Sequence, residues 1–202
     1  MLPLVFFPGA GGRADFWRPV AERLADVGSP VRFAWPGFGD EPAEPAIASL
    51  DGLYRWTVTR LPSGSFHLVA QSMGGVLAAR LAIEHPERVA TLVLCATSGG
   101  VDVTALGGED WRPAYRAELP EVPDWFERDR TDLTARLADI RAPTLVLNGD
   151  QDPICPPAVA RLLCERIPRA RAEVLPGGAH DFAQVLADET AAAIRRHIGD
   201  YF

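Results

Sequence analysis

The sequence predicts an α/β protein built on an open, mostly parallel sheet of about six strands with helices on both faces. Three observations carry this. Short β-rich runs alternate with helical patterns about five times along the chain. Most of those runs are apolar throughout rather than alternating, as strands covered on both faces must be. The length of 202 residues fits one domain with a core able to stand alone, so residues 1–202 read as a single unit.

The expected strands are "PLVFF" (3–7), "VRFAW" (31–35), "FHLVA" (66–70), "VATLVLCA" (89–96), "TLVLN" (144–148) and "RAEVL" (171–175). Between them, Phe16, Val20 and Leu24 fall at four-residue steps, as do Leu77 and Leu81. Val159, Leu162 and Leu163 mark another helical face, and Phe182, Val185 and Leu186 with Ile194 and Ile198 a last one. One interval breaks the rhythm. Residues 97–141 are too long for a plain connection and carry Trp111, Tyr115, Trp125 and Phe126, which predicts a cap or binding insert. Arg112 and Arg116 in it are read as solvated surface residues, with contact to a substrate carboxylate as the alternative.

Bulk properties exclude several classes. Hydrophobic residues make up 48% and charged residues 23%, as in ordinary water-soluble proteins. A net charge of −7 argues against a nucleic-acid binder or a partner of acidic membranes. Cys95, Cys155 and Cys164 stand in no metal-binding spacing and cannot all pair with one another, which points to a reducing, cytoplasmic setting with no metal. The opening "MLPLVFFPG" has no basic residue before its apolar run and is broken by proline, unlike a secretory signal or a membrane span.

Ser72, in "LVAQSMGGVLAARLA", falls on the turn from a strand to a helix, at the sheet edge where parallel sheets bind ligands. The unpaired amides and dipole of the helix N-terminus favour negative charge there. Ala70, Gly74 and Gly75 keep that turn free of bulk, which is more than a helix-capping serine needs. A serine hydroxyl needs a base to become a nucleophile. Of four histidines, His67 starts the strand that ends at the serine, roughly 15 Å away at about 3.3 Å per residue. His85 lies roughly 20 Å down the following helix at about 1.5 Å per residue. His197 sits deep in the last helical pattern, whereas His180, in "LPGGAHDF", is on a glycine-rich loop at the serine's edge. It is the one good base.

The base needs a carboxylate. "GDQDPICP" offers Asp150 and Asp152 at the same edge, and Pro153 fixes the direction of Asp152, leaving Asp150 a turn residue. Acyl transfer also needs oxyanion donors. Met73 N–H is one; the second comes from "FFPGAGGRADF", with Ala10 N–H preferred and Gly11 as alternative. That loop is a poor phosphate cradle, because Asp15 would repel a phosphate.

With "FFPGAGG", "WPGFGD", "AQSMGG", "GDQDP" and "GGAHDF" in this order over nearly the whole length, the chain resembles the α/β-hydrolase superfamily. The resemblance implies a Ser72–Asp152–His180 triad and Ala10 and Met73 as oxyanion donors. As a departure from that pattern, the first two strands of the usual eight-stranded sheet are expected to be missing, which makes this a compact six-stranded member with a reduced cap and an edge strand open to pairing with another chain. Two further departures stand out: Ala70 replaces the first glycine of G-x-S-x-G, and Pro8 stands where many members have histidine. The expected activity is hydrolysis of short-chain or aromatic carboxylic esters through an acyl-enzyme, without cofactor. Trp35, Phe38, Trp111, Tyr115 and Trp125 would contact the small-molecule substrate. Rival expectations are thioester hydrolysis, from the similarity of "FPGAGG…FWRPVAERL" to editing thioesterases, carbon–carbon bond hydrolysis, and a non-catalytic ligand-binding protein. The oligomeric state is left open.

Overall fold

The computed structural model describes residues 1–202. Its sheet has six strands: β1 (Leu4–Phe7), β2 (Pro30–Arg32), β3 (Phe66–Gln71), β4 (Val89–Cys95), β5 (Thr144–Gly149) and β6 (Ala170–Leu175). They are all parallel, in the order β2-β1-β3-β4-β5-β6. The helices are α1 (Arg18–Arg23), α2 (Leu50–Val58), α3 (Met73–Glu84), α4 (Arg112–Glu118), α5 (Trp125–Arg128), α6 (Pro157–Arg166), α7 (Phe182–Val185) and α8 (Ala187–Gly199). None is long and apolar enough to cross a membrane.

The apolar strands have a direct physical reason. Successive side chains point to opposite faces, and each face has its own core. Val5 and Phe7 of β1, Leu68 and Ala70 of β3 and Leu92 and Leu94 of β4 pack with α2, α3 and α6. Leu4 and Phe6, Val69, and Val93 with Cys95 pack on the other face with α1, α7 and α8. At the edge, β6 is more accessible: only Leu175 is buried, and the positions before it are half-buried or exposed. The opposite edge strand, β2, pairs only with β1.

Three expectations change. The run 31–35 is strand only through Arg32; beyond it Phe33 N still reaches Phe6 O at 3.0 Å, but Trp35 N donates to Gly12 O at 2.9 Å, so the chain leaves the ladder. The last helical pattern is two helices, broken at Leu186 (φ −107°, ψ 49°), and Val185 is 74% exposed instead of sharing the buried face. The helix α2 is not among the expected elements; Ser49 caps it by accepting a hydrogen bond from Gly52 N at 3.0 Å.

Residues 97–141 hold α4, α5 and two 3-10 turns. The interval is not uniform. Leu133 N donates to Gly100 O, and Leu133, Leu137 and Ile140 are buried in the main core, so its last part belongs to the body. The stretch carrying α4 and α5 adds an aromatic group that joins the same core through Trp125: Trp111 stacks on Phe126 with centroids 4.8 Å apart, and Tyr115 meets Trp111 edge-on at 5.4 Å.

Candidate active site

The sharp turn from β3 into α3 places Ser72 at φ 50°, ψ −122°, a conformation that L-residues adopt only under constraint. The constraint is visible. Ser72 N donates to Cys95 O (3.1 Å), and Ser72 O accepts from Gly75 N (2.9 Å) and Thr97 Oγ1 (2.6 Å). The small residues after it are steric necessities. A Cβ on Gly74 would stand 2.4 Å from Pro8 O, and one on Gly75 would stand 2.3 Å from Thr97 Oγ1.

Although Ser72 occupies the N-cap position, its hydroxyl makes no capping bond to α3. Its Oγ lies instead 3.1 Å from His180 Nε2. The same ring's Nδ1 lies 2.9 Å and 3.1 Å from the two carboxylate oxygens of Asp152. An ionised carboxylate can only accept, so Nδ1 carries the proton and Nε2 of the neutral ring is free to accept from Ser72. The Asp152 side chain is fully buried and that of His180 is 24% exposed. Burial alone would push the Asp152 carboxyl up. The His180 hydrogen bond and charge, with the amides of Cys155 (3.0 Å) and Ile154 (2.9 Å), overcome this and hold it below the usual carboxylate range.

Asp150 is engaged elsewhere: its Oδ1 accepts from Gly177 N at 2.7 Å, bracing the turn after β6. His67 and His197 are buried, and His67 bonds Thr91 at the far end of β3. His85 caps the C-terminus of α3.

Met73 N–H and Ala10 N–H have no acceptor within the chain. Both residues are nearly buried, and the loop carrying Ala10 meets the serine turn through Gly9, where a Cβ would stand 3.0 Å from Ser72 Cβ. Trp35 and Phe38 are completely buried; Trp35 Nε1 donates to Pro8 O at 3.0 Å, and Phe38 packs edge-on against Trp125 at 5.4 Å. Tyr115 Oη donates to Ala10 O at 3.0 Å. Arg112 bonds Asp110 and Glu127 O, and Arg116 pairs with Glu127, so both brace the insert internally.

Gln71 is a residue that sequence reasoning misses. Its Nε2 donates to His180 O at 3.2 Å, tying the histidine loop to the end of β3. Its one signal is adjacency to Ser72. Thr97 gives no such signal, because its role depends on β4 lying beside β3. Asp152, Cys155 and His180 place one donor atom each within 4.8 Å of one another. The carboxylate oxygens already serve His180 and two amides, and burial pushes the Cys155 thiol well up, which disfavours a metal-binding thiolate. Two surface depressions, of about 320 and 430 Å³, are not lined by Ser72, Asp152 or His180.

The alpha/beta hydrolase fold model matches residues 3–138. This chain belongs to the α/β-hydrolase fold family. A poly(3-hydroxyalkanoate) depolymerase of Ectopseudomonas oleovorans is 27% identical over 98% of this chain and 84% of its own length. A pimeloyl-[acyl-carrier protein] methyl ester esterase of Nitrosomonas europaea is 26% identical over 88% of each chain. In fold, the chain is similar to a thermophilic esterase from Thermogutta terrifontis (TM-score 0.80, 21% identity, covering all of this chain and 90% of that one). The family and these relatives make the chain a hydrolase.

Proposed function

We propose that this hydrolase cleaves carboxylic esters of small acyl groups, short-chain or aromatic, through an acyl-enzyme on Ser72. The observation that carries the reading is the continuous hydrogen-bond chain Ser72 Oγ–His180–Asp152, with the hydroxyl released from any capping role. His180 Nε2 takes the hydroxyl proton as Oγ bonds to the carbonyl carbon. The Met73 and Ala10 amides receive the charge that develops on the carbonyl oxygen, and the N-terminal end of α3 adds its dipole. As the tetrahedral intermediate collapses, the C–O bond to the alcohol breaks and His180 returns the proton to the departing oxygen. It then removes a proton from the water that attacks the acyl-enzyme, which frees the acid and restores Ser72. Asp152 holds the tautomer and balances the imidazolium.

The stretch carrying α4 and α5 acts in this reading as a small cap that supplies an apolar wall through Trp111, Tyr115 and Trp125. Trp35 and Phe38 support it from beneath. Three free cysteines fit a reducing, cytoplasmic setting.

The deciding experiment measures hydrolysis of p-nitrophenyl acetate, p-nitrophenyl benzoate and a matched acetyl thioester by the parent and by Ser72→Ala. The parent is expected to turn over the oxygen esters and to be labelled by a fluorophosphonate at Ser72. The Ser72→Ala protein should lose labelling and about 10³-fold or more of the rate. A Ser72→Ala protein as active as its parent would end the reading.

A further inference from the structure

Three carbonyls, one at the end of β1 and two in the loop after it, are each held by an aromatic donor. Phe7 O accepts from Trp17 Nε1 at 2.9 Å, Pro8 O from Trp35 Nε1 at 3.0 Å, and Ala10 O from Tyr115 Oη at 3.0 Å. The two tryptophans belong to the body of the fold and are completely buried. Tyr115 does not: it lies on α4, 105 residues away along the chain.

The third bond lands on a turn that the backbone itself closes with one hydrogen bond, Gly12 N to Gly9 O at 3.1 Å. The segment 9–12 reads Gly-Ala-Gly-Gly, and a Cβ at Gly11 would meet nothing within 4 Å. No side chain of the segment can wedge the Ala10 peptides in one orientation, and glycine leaves its neighbours' dihedrals free. An amide that stabilises an oxyanion is useful only if it already points at the place where charge will develop. The one side-chain hydrogen bond on Ala10 is that from Tyr115.

We propose that Tyr115 is a positioning residue: its hydroxyl, donated to the Ala10 carbonyl, fixes the loop so that the Ala10 amide is aimed for catalysis, and it makes that aim depend on the seating of the insert. This rests on the hydrolase mechanism above. Tyr115 touches no reacting atom. Its ring is held by Trp111 (5.4 Å) and Phe126 (6.2 Å), and the Trp111–Phe126 stack ties both insert helices to it. Trp125 packs on Phe38, which itself backs the loop at Gly12, where a Cβ would stand 2.1 Å from Phe38 Cβ. The insert thus presses on the loop at Gly12 through Phe38 and holds it at Ala10 through Tyr115. Burial pushes the Tyr115 hydroxyl up to about 12, so it stays a neutral donor over the working pH range. A seated insert and an aimed Ala10 amide become one state of the protein, and a displaced insert leaves the donor loose.

The test is Tyr115→Phe in the full chain, which keeps the ring in its stack and removes only the hydroxyl. Oxyanion stabilisation is read in two ways: by kcat on p-nitrophenyl acetate, and by the Ki of phenylboronic acid, whose tetrahedral anionic adduct on a serine oxygen places a charged oxygen among the same donors. Loss of one orienting hydrogen bond should lower kcat by about threefold to tenfold and weaken phenylboronic acid by a similar factor. KM should stay within about twofold and Tm within about 2 °C. Unchanged kcat and Ki, or a rise in KM alone, would overturn the proposal. If Tm falls further, hydrogen exchange of Gly12, whose amide closes the turn around Ala10 by donating to Gly9 O (3.1 Å), decides in the folded variant: faster exchange there with α3 unaffected supports the proposal, and parent-like exchange overturns it. Ser72→Ala, run alongside, separates the two levels. If Ser72→Ala is inactive while Tyr115→Phe behaves as the parent, only the positioning role is lost. If Ser72→Ala is active, the mechanism beneath it is lost.

Discussion

Asp152 is the residue whose chemistry is most narrowly defined by its surroundings. One oxygen accepts two backbone amides and both face His180 Nδ1, so the carboxylate cannot rotate away or take a proton without losing partners. Asp152→Asn keeps an oxygen for the amides of Ile154 and Cys155 and should leave the fold intact. Its NH₂ group would then face Nδ1, favour the opposite tautomer, and leave Nε2 protonated and unable to accept from Ser72. The expected loss in kcat is about 10³- to 10⁴-fold on the best oxygen ester, at nearly unchanged thermal stability; the upper figure is the effect of the same exchange in a serine protease. An Asp152→Asn protein within about tenfold of the parent rate would show that Asp152 has no such role. These residues were legible because reach along a strand or helix can be computed from rise per residue, which separates His180 from the other three histidines. Gln71 and Thr97 were not, since their bonds to the histidine loop and to Ser72 O exist only across strands and loops that the sequence does not place side by side.

At the scale of elements, the site depends on how closely α3 approaches the end of β1. Glycine inside a helix ordinarily weakens it by roughly 1 kcal/mol relative to alanine, so Gly→Ala there should stabilise. At Gly74 the sign reverses. The new Cβ would stand 2.4 Å from Pro8 O and 2.9 Å from Phe7 O, both of them backbone atoms held by tryptophan hydrogen bonds. Gly74→Ala is expected to destabilise by about 1–3 kcal/mol, a fall of roughly 2–12 °C in Tm for a chain of this size, and to lower kcat by shifting the loop that carries Ala10. A melt equal to or above the parent's would mean that β1 and α3 can separate freely. Parallel strands were readable here because burial on both faces forces apolar side chains at every position. The helix α2 has the right spacing in Leu50, Leu53, Tyr54 and Thr57, and a Ser49 cap, yet its fourth inward position is a threonine and its aromatic and β-branched residues also suit a strand. In the insert, sequence showed unusual length and aromatic content but not which part joins the body, because Leu133 and Leu137 bury themselves against elements distant in the chain.

Across the whole molecule, polar groups are divided between the two ends of the sheet. The C-terminal ends of the strands carry Ser72, Asp152 and His180. The other end holds two buried histidines: His67, bonded to Thr91 (2.9 Å) and covered edge-on by Phe202 (5.1 Å), and His197, whose Nε2 lies 3.2 Å from Pro143 O. Burial, with the nearby His197 as a smaller cause, pushes His67 down to about 4 from its ordinary 6.5. Burial also lowers His197; Arg171 adds to this, while the Pro143 and Leu92 backbone contacts and Asp200 oppose it. A histidine depressed on folding binds its proton more tightly in the unfolded chain. Its contribution is therefore undiminished above pH 6.5 and is lost as pH falls from there toward about 4, where the folded protein also protonates. For His67 the loss across that window is on the order of 2–3 kcal/mol. His67→Gln, which cannot titrate, should be less stable than the parent at pH 8 but should show a flatter fall between about pH 6.5 and 4.5. Urea melts of both proteins at half-unit pH intervals measure the difference. Parallel pH profiles would assign the acid sensitivity to His197 or to the carboxylates, which lose their ion pairs only at lower pH.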